Sequence, residues 1–154
     1  MSNIRYEARQ VLIADALGTG IAALLPGGIY PTASTGEGDV TALTREIKDA
    51  FDPAGDVLPC AMITDEGSVG FGPYPTSQMG FLRVWLFQQY GRDVIEDAQV
   101  KVVALLSGKR LQVGGRYRTL RFAGFGPSGI TDRALRDAPV GWVRFQAMGL
   151  VTLP

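Results

Sequence analysis

The sequence predicts an α+β domain, a small antiparallel or mixed sheet of about four to five strands with two main helices packed on one face. Three observations carry that expectation. Residues Met79 to Tyr90 form a long apolar run bounded by turn residues, as a central strand does. Residues Arg92 to Leu106 carry apolar side chains at helical spacing, with Ile95, Ala98, Val102 and Leu105 or Leu106 on one stripe. The order of patterns is helix, short strand, short helix, strand, long loop, strand, helix, hairpin, loop, strand, which is that of an α+β chain.

Ile4 to Leu25 reads as the first helix, because Ala8, Leu12, Ala16 and Ala23 follow its period and Ser2 or Asn3 can cap its start. Gly18 and Gly20 each weaken it by about 1 kcal/mol relative to alanine, so a kink or break is expected there. Pro26-Gly27-Gly28 ends the helix, and Ile29-Tyr30-Pro31 is a very short strand. Thr32 to Asp39 is a loop by composition. Leu43, Ile47 and Phe51 favour a short helix over Thr41 to Phe51, although that stretch is ambiguous. Phe51 to Asp56 is a Pro/Gly turn that aims the strand Val57 to Thr64.

Asp65 to Gln78 is rich in glycine and proline and has no period. It reads as a long loop, mobile in a free subunit and ordered only against a partner, with Phe71 and Tyr74 as its apolar anchors. In the strand that follows, Phe81, Arg83, Trp85 and Phe87 point one way and Leu82, Val84, Leu86 and Gln88 the other. Phe81, Val84, Trp85 and Phe87 are expected in the core. Gly108 is a plausible end to the second helix. Leu111 to Val113 and Arg116 to Phe125 form a hairpin about Gly114-Gly115. Gly126 to Pro139 is a second long loop. Val140 to Val151 is the last strand, with Val143, Phe145 and Ala147 on one face and Trp142, Arg144 and Gln146 on the other.

Composition narrows the function. The 154 residues suit a single domain, residues 1–154, and no internal repeat is evident. Fifteen basic residues balance fifteen acidic ones, unlike a dedicated nucleic-acid binder. The chain has no histidine, which removes Ser-His-Asp and Cys-His catalysis and the usual zinc sites. The single cysteine, Cys60, lies in an apolar run and reads as a small buried hydrophobe. Asp65-Glu66 and Asp132 read as solvated loop carboxylates rather than a metal or acid/base site. Gly67 to Gly72 lacks the Lys-Ser/Thr of a phosphate-binding loop. No catalytic residue, metal site or cofactor is expected. The polar N-terminus does not resemble a signal peptide, and no apolar run approaches the ~20 residues that span a bilayer.

The exposed candidates are contacts. Arg116, Arg118 and Arg121 cluster around Tyr117 on the hairpin, as a solvated or subunit-facing edge rather than a nucleic-acid contact. Trp85 is expected in the core, whereas Trp142 is balanced between core and interface anchor. The expected subunit or partner contacts are therefore Phe71, Tyr74, Arg116, Arg118 and Trp142.

The stretch Ala50 to Ile63 (AFDPAGDVLPCAMI) resembles the AFD-x-x-G-x-x-x-PCA segment of the tail terminator, or tail completion, proteins of long-tailed bacteriophages. Phe81 to Gly91 with Val94-Ile95-Glu96-Asp97-Ala98 resembles that family's strand ending YxxxG and its helix opening xxIxxA. Leu24 to Pro31 is similar to its first helix end and strand. The likeness spans most of residues 4–106; the hairpin and last strand match in pattern only. It implies a non-enzymatic virion protein, made in the host cytoplasm and placed at the tail–head junction. Its expected partners are other copies in a ring of six, the major tail tube protein and the head-closure or connector protein. DNA would pass through the lumen without specific binding, and no membrane is involved. Two alternatives stand beside it: another phage connector, such as a head-closure or tail-tip adaptor protein, and a small ligand-binding domain or enzyme with loops 65–78 and 126–139 as lids.

Overall fold

A computed structural model describes residues 4–15, 17–31, 47–70, 77–113, 116–126, 131–132 and 135–150. For strand residues 66–70, 77–78, 113, 116–117, 131–132 and 150 it describes the backbone alone. The elements run α1 (Ile4–Ala14), α2 (Ile21–Leu24), β1 (Ile29–Tyr30), a 3-10 turn (Lys48–Ala50), β2 (Cys60–Gly70), β3 (Ser77–Phe87), α3 (Asp93–Leu106), β4 (Arg110–Val113), β5 (Arg116–Gly126), β6 (Thr131–Asp132) and β7 (Ala138–Leu150).

The strands make one mixed sheet in the order β1-β2-β3-β7-β5-β4, and β6 pairs with the start of β7. Only β1 and β2 are parallel among the described pairings; the others are antiparallel. The sheet curls into a half-barrel, and α1 touches both β2 and β4, which lie toward opposite ends of the strand order. The helices thus occupy the concave side. Irregularities at Asp65/Ser68 in β2 and Phe122/Gly124 in β5 add local bend, as bulges do.

This architecture corrects the expected count of about four to five strands and two helices. The described path has six strands, and the described residues hold three α-helices. β1 and β4, of two and four residues, are full members of the sheet although too short to show a period. The first helix divides where Gly18 and Gly20 take φ values of 65° and 73°. Asp15 closes the gap: its carboxylate accepts from the Thr19 amide at 2.7 Å, the Thr19 hydroxyl at 2.8 Å and the Gly20 amide at 2.6 Å. The Lys101 ammonium donates to the Thr19 carbonyl and ties the break to α3.

A second correction concerns Asp65 to Gln78. β2 continues to Gly70 and β3 begins at Ser77, with Ser68, Val69 and Gly70 opposite Gly80, Met79 and Gln78. Cross-strand hydrogen bonds satisfy that backbone whatever its composition, so Asp65 to Gly70 and Ser77 to Gln78 are hairpin strands rather than loop, and residues 71–76 lie outside the described ones. The last strand also starts earlier than expected, at Ala138. Of the helix expected over Thr41 to Phe51, residues 41–46 lie outside the described ones and Lys48–Ala50 is a single 3-10 turn.

The concave side holds the main core. α1 contributes Ile4, Ala8 and Leu12, one residue per turn; α3 contributes Ile95, Ala98, Val102, Leu105 and Leu106. They cover Ala61 and Ile63 of β2, Leu82, Val84 and Leu86 of β3, Leu120 of β5 and Val143, Phe145 and Ala147 of β7. Each fully buried large aliphatic contributes about 1.5–3 kcal/mol of transfer free energy. Gly141 lets α3 sit close, since a Cβ there would lie 2.5 Å from Cγ2 of Ile95. The side chain of Gln88 receives the helix start. Its oxygen accepts from the amides of Val94 at 3.1 Å and Ile95 at 3.3 Å, and its amide donates to Asp93 at 2.7 Å. No described helix is long and apolar enough to cross a membrane.

Candidate functional site

Antiparallel pairing places directly opposed residues on one face. The register sets Met79, Phe81, Arg83 and Trp85 of β3 against Met148, Gln146, Arg144 and Trp142 of β7. Their chain neighbours Leu82, Val84, Val143 and Phe145 fill the concave core, so these eight stand on the convex face. The face is half-buried: Phe81, Arg83, Trp85, Trp142, Arg144 and Gln146 are neither sealed nor fully open. Phe81 and Trp85, expected in the core, belong here, while Val84 and Phe87 are buried.

Two like charges directly opposed across strands repel. Arg83 and Arg144 face each other in that way, and aromatic stacking holds both. The Arg83 guanidinium carbon lies 5.0 Å from the ring centroid of Trp85 and 4.6 Å from that of Trp142. That of Arg144 lies 3.7 Å from the Phe81 centroid. Such contacts contribute about 0.5–1 kcal/mol when exposed and about 2 kcal/mol when desolvated. Nε of each arginine is shut off from solvent. The Trp85 indole donates to the Thr64 hydroxyl at 3.0 Å, fixing its ring. The Trp142 ring occupies the space beside Gly126, where a Cβ would fall 1.5 Å from a ring carbon.

Arg121 and Arg110 extend the basic character. Arg121 opposes Gln146, Arg110 opposes Thr119, Thr119 opposes Met148, and both arginines are exposed. Among strand residues with described side chains, this face has no aspartate or glutamate. On the other side Asp93, Glu96 and Asp97 are exposed at the start of α3, and Val100, one turn after Glu96, is 64% exposed.

One end of the convex face is covered instead. Cys60, Met62 and Phe87 pack there against Ala50, Val57 and Leu135. Burial pushes the Cys60 thiol up to about 12, so it is inert as a nucleophile. Beside this cluster a shallow cleft of about 250 Å³ is lined by Asp52, Asp56, Gln88, Gln89 and Tyr90 among others. Its polar groups are engaged structurally: Arg136 donates to the Ala54 carbonyl at 2.9 Å and lies 3.4 Å from Asp56, and the Tyr90 hydroxyl donates to Asp56 at 3.1 Å. That last bond raises the Tyr90 phenol above its ordinary range. No group of three metal-ligating side chains occurs among the described residues.

Of the five expected contacts, Arg118 and Trp142 have described side chains. Phe71 and Tyr74 lie outside the described residues. Arg116 pairs with Val113 through its backbone, and its side chain is not among those described. Arg118 is 5% exposed and belongs to the subunit's interior. Trp142 alone stands in the convex ladder. Arg83, Arg144 and Phe81 were not anticipated as contacts; alternation placed each on a strand face, but the adjacency of β3 and β7 has no local signature.

No protein-family model matches the chain, and no curated protein matches it in sequence. Its fold does have a solved counterpart. The chain superimposes on a chain of the native gene transfer agent (GTA) virion particle with a TM-score of 0.66 and 16% identity, over 96% of this chain and 94% of that one. At that identity the likeness establishes the shared fold. A second solved chain, at a TM-score of 0.49 and 12% identity over 99% of both, is too distant to argue from.

Proposed function

We propose that the chain is a structural protein of a phage-like virion, a ring subunit that caps the tail tube and meets the head connector. The near end-to-end fold likeness to a chain of the GTA virion particle carries this reading. The AFD…PCA and YxxxG segments, which resemble the tail terminator family, support it. Their place in the fold agrees: PCA opens β2, and Tyr90 and Gly91 form the turn between β3 and α3. In this reading six copies close a ring, the tube protein and the head-closure protein bind its two rims, and DNA crosses the lumen without specific contacts. A neutral chain suits that passage, because strong counterion-release binding would stall it.

Purified protein mixed with tail tubes of the same particle tests the proposal by electron microscopy. A ring at the head-proximal end of each tube is expected. Binding to the portal-bearing head alone would favour a head-closure protein, binding at the distal tip an adaptor, and a monomer that ignores tubes and heads would remove the virion reading.

A further inference from the structure

We propose that Arg136 latches a releasable cover over one end of the convex face, and that this cover opens locally while the rest of the subunit stays folded. The proposal stands apart from the virion reading and concerns a conformational device within the fold.

The strand register carries the convex ladder past its tryptophans. Met62 of β2 opposes Trp85, and Cys60 opposes Phe87, which in turn opposes Val140 of β7. The ladder is half-buried, but this end of it is sealed: Cys60, Met62 and Phe87 are at most 5% exposed. Two segments outside the main strands supply the seal. The stretch before β2 contributes Ala50 and Val57, and the stretch before β7 contributes Leu135.

The bonds that join these two segments lie largely at the surface. The Arg136 guanidinium donates to the Ala54 carbonyl at 2.9 Å and lies 3.4 Å from Asp56, with its side chain 55% exposed. It passes over Gly55, where a Cβ would fall 2.8 Å from a guanidinium nitrogen. The Gln89 side chain bridges the same gap, donating to the Arg136 carbonyl and accepting from the Val57 amide, each at 3.1 Å. Water replaces exposed bonds of this kind at little net cost. The closed form also stores strain. Arg136 and Asp137 take φ values of 58° and 55°, a left-handed conformation that disfavours residues with a Cβ. Exposed bonds and a strained backbone put the cover at the low end of local stability, below the core under α1 and α3. Opening leaves Cys60, Met62 and Phe87 continuous with Trp85, so the convex face then shows a larger apolar surface.

Cys60, the single cysteine of the chain, reports the opening. In the closed form it is shut off from reagent, and burial keeps its thiol protonated. Alkylation of the full chain by iodoacetamide would be followed against denaturant concentration for the native protein, Arg136→Ala and Asp137→Gly. Native Cys60 should react by a route that depends on denaturant much less steeply than global unfolding does. Arg136→Ala removes the latch and keeps the strain, so labelling should quicken by about tenfold. Asp137→Gly relieves the strain and keeps the latch, so labelling should slow by about threefold. Both sites are exposed, and the melting temperature of each variant should stay close to the native one. Labelling that carries the full denaturant dependence of global unfolding, no labelling short of it, or equal rates in the three proteins would overturn the proposal. So would faster labelling of Arg136→Ala that only follows a lowered melting temperature.

Discussion

Leu82, Val84 and Leu86 alternate along β3 with Phe81, Arg83 and Trp85, and the two sets end on opposite faces of one sheet. The concave set is fully buried under α1 and α3. The convex set is half-covered and mixes guanidinium groups with rings. The same strands therefore serve two purposes. Where α1 and α3 cover the concave side burial is complete, so volume and polarity are tightly constrained there. Along the convex ladder the side chains of Phe81, Arg83, Trp85, Trp142, Arg144 and Gln146 are only half-buried, so charge is tolerated there. The difference is one of enclosure rather than of hydrophobic content.

A single charge should separate the faces most sharply. Val102→Asp places a carboxyl on a fully buried site and should cost on the order of 4 kcal/mol, a large share of an ordinary domain's stability. Arg121→Asp, exposed on the convex side, should change stability by about 0.5 kcal/mol or less. Chemical denaturation of the two variants makes the comparison. A soluble Val102→Asp with native stability would show that α3 does not seal the concave core.

Two glycines sharpen the contrast. Gly141→Ala drives a methyl into Ile95 on the concave side, where α3 is held by Gln99 bonds to the carbonyls of Gly126 and Trp142. Overpacking there should cost about 1–3 kcal/mol. Gly126→Ala drives a methyl into Trp142 on the convex side, where the ring can swing outward. Its stability cost should be smaller, and the signal should be optical. The chain has two tryptophans, Trp85 and Trp142, and both stand on the convex face. Intrinsic fluorescence thus reports on that face. A red shift for Gly126→Ala, with little change for Gly141→Ala, is the expected pattern.

Arg83→Gln is a milder probe. It removes the cation above two rings and relieves the like-charge opposition to Arg144, so the two effects partly cancel. A net loss of about 1 kcal/mol, with altered tryptophan emission, is expected. A gain in stability would show that arginine repulsion outweighs stacking, and would make the face a site strained for its partner.

Each face was legible strand by strand, and neither was legible as a surface. The alternation in Met79 to Tyr90 and in Val140 to Val151 assigned Arg83, Trp142 and Arg144 to a side. That β7 lies between β3 and β5 depends on pairing across more than fifty residues, which no local period encodes. The α3 stripe was read correctly because one helix carries its own pattern. Composition misled at Asp65 to Gly70, where ladder bonds to β3 outweigh weak strand propensity. It misled again at Arg118, whose position in an arginine-rich hairpin suggested an open edge although the side chain is enclosed. The GTA-like fold as a whole was approached through short motifs at the chain turns, which fix the order of elements and not the strand count.

The smallest expected effect is a pH dependence confined to the helix-bearing side. Asp15 and Asp93 stand at the α1–α2 break and at the start of α3, and hydrogen bonds hold both carboxyls below the ordinary value of 3.8. The Thr19 hydroxyl is the main cause at Asp15, and the Gln88 amide at Asp93. A depressed folded-state pKa means that the unfolded chain binds protons first as pH falls. The contribution is therefore complete above 3.8 and is lost as pH drops through the lower folded values. Both carboxyls are solvent-exposed, so screening keeps the effect modest. Denaturation midpoints should fall as pH is lowered from about 5 to about 3, and Asp15→Asn should flatten that slope. Native tryptophan emission should stay constant over the same range, because no described side chain of the β3–β7 ladder around the two tryptophans is a carboxylate. Emission that shifts before unfolding begins would place an acidic group against the arginine ladder within the subunit, and the distinction between the two faces would then fail on its charge.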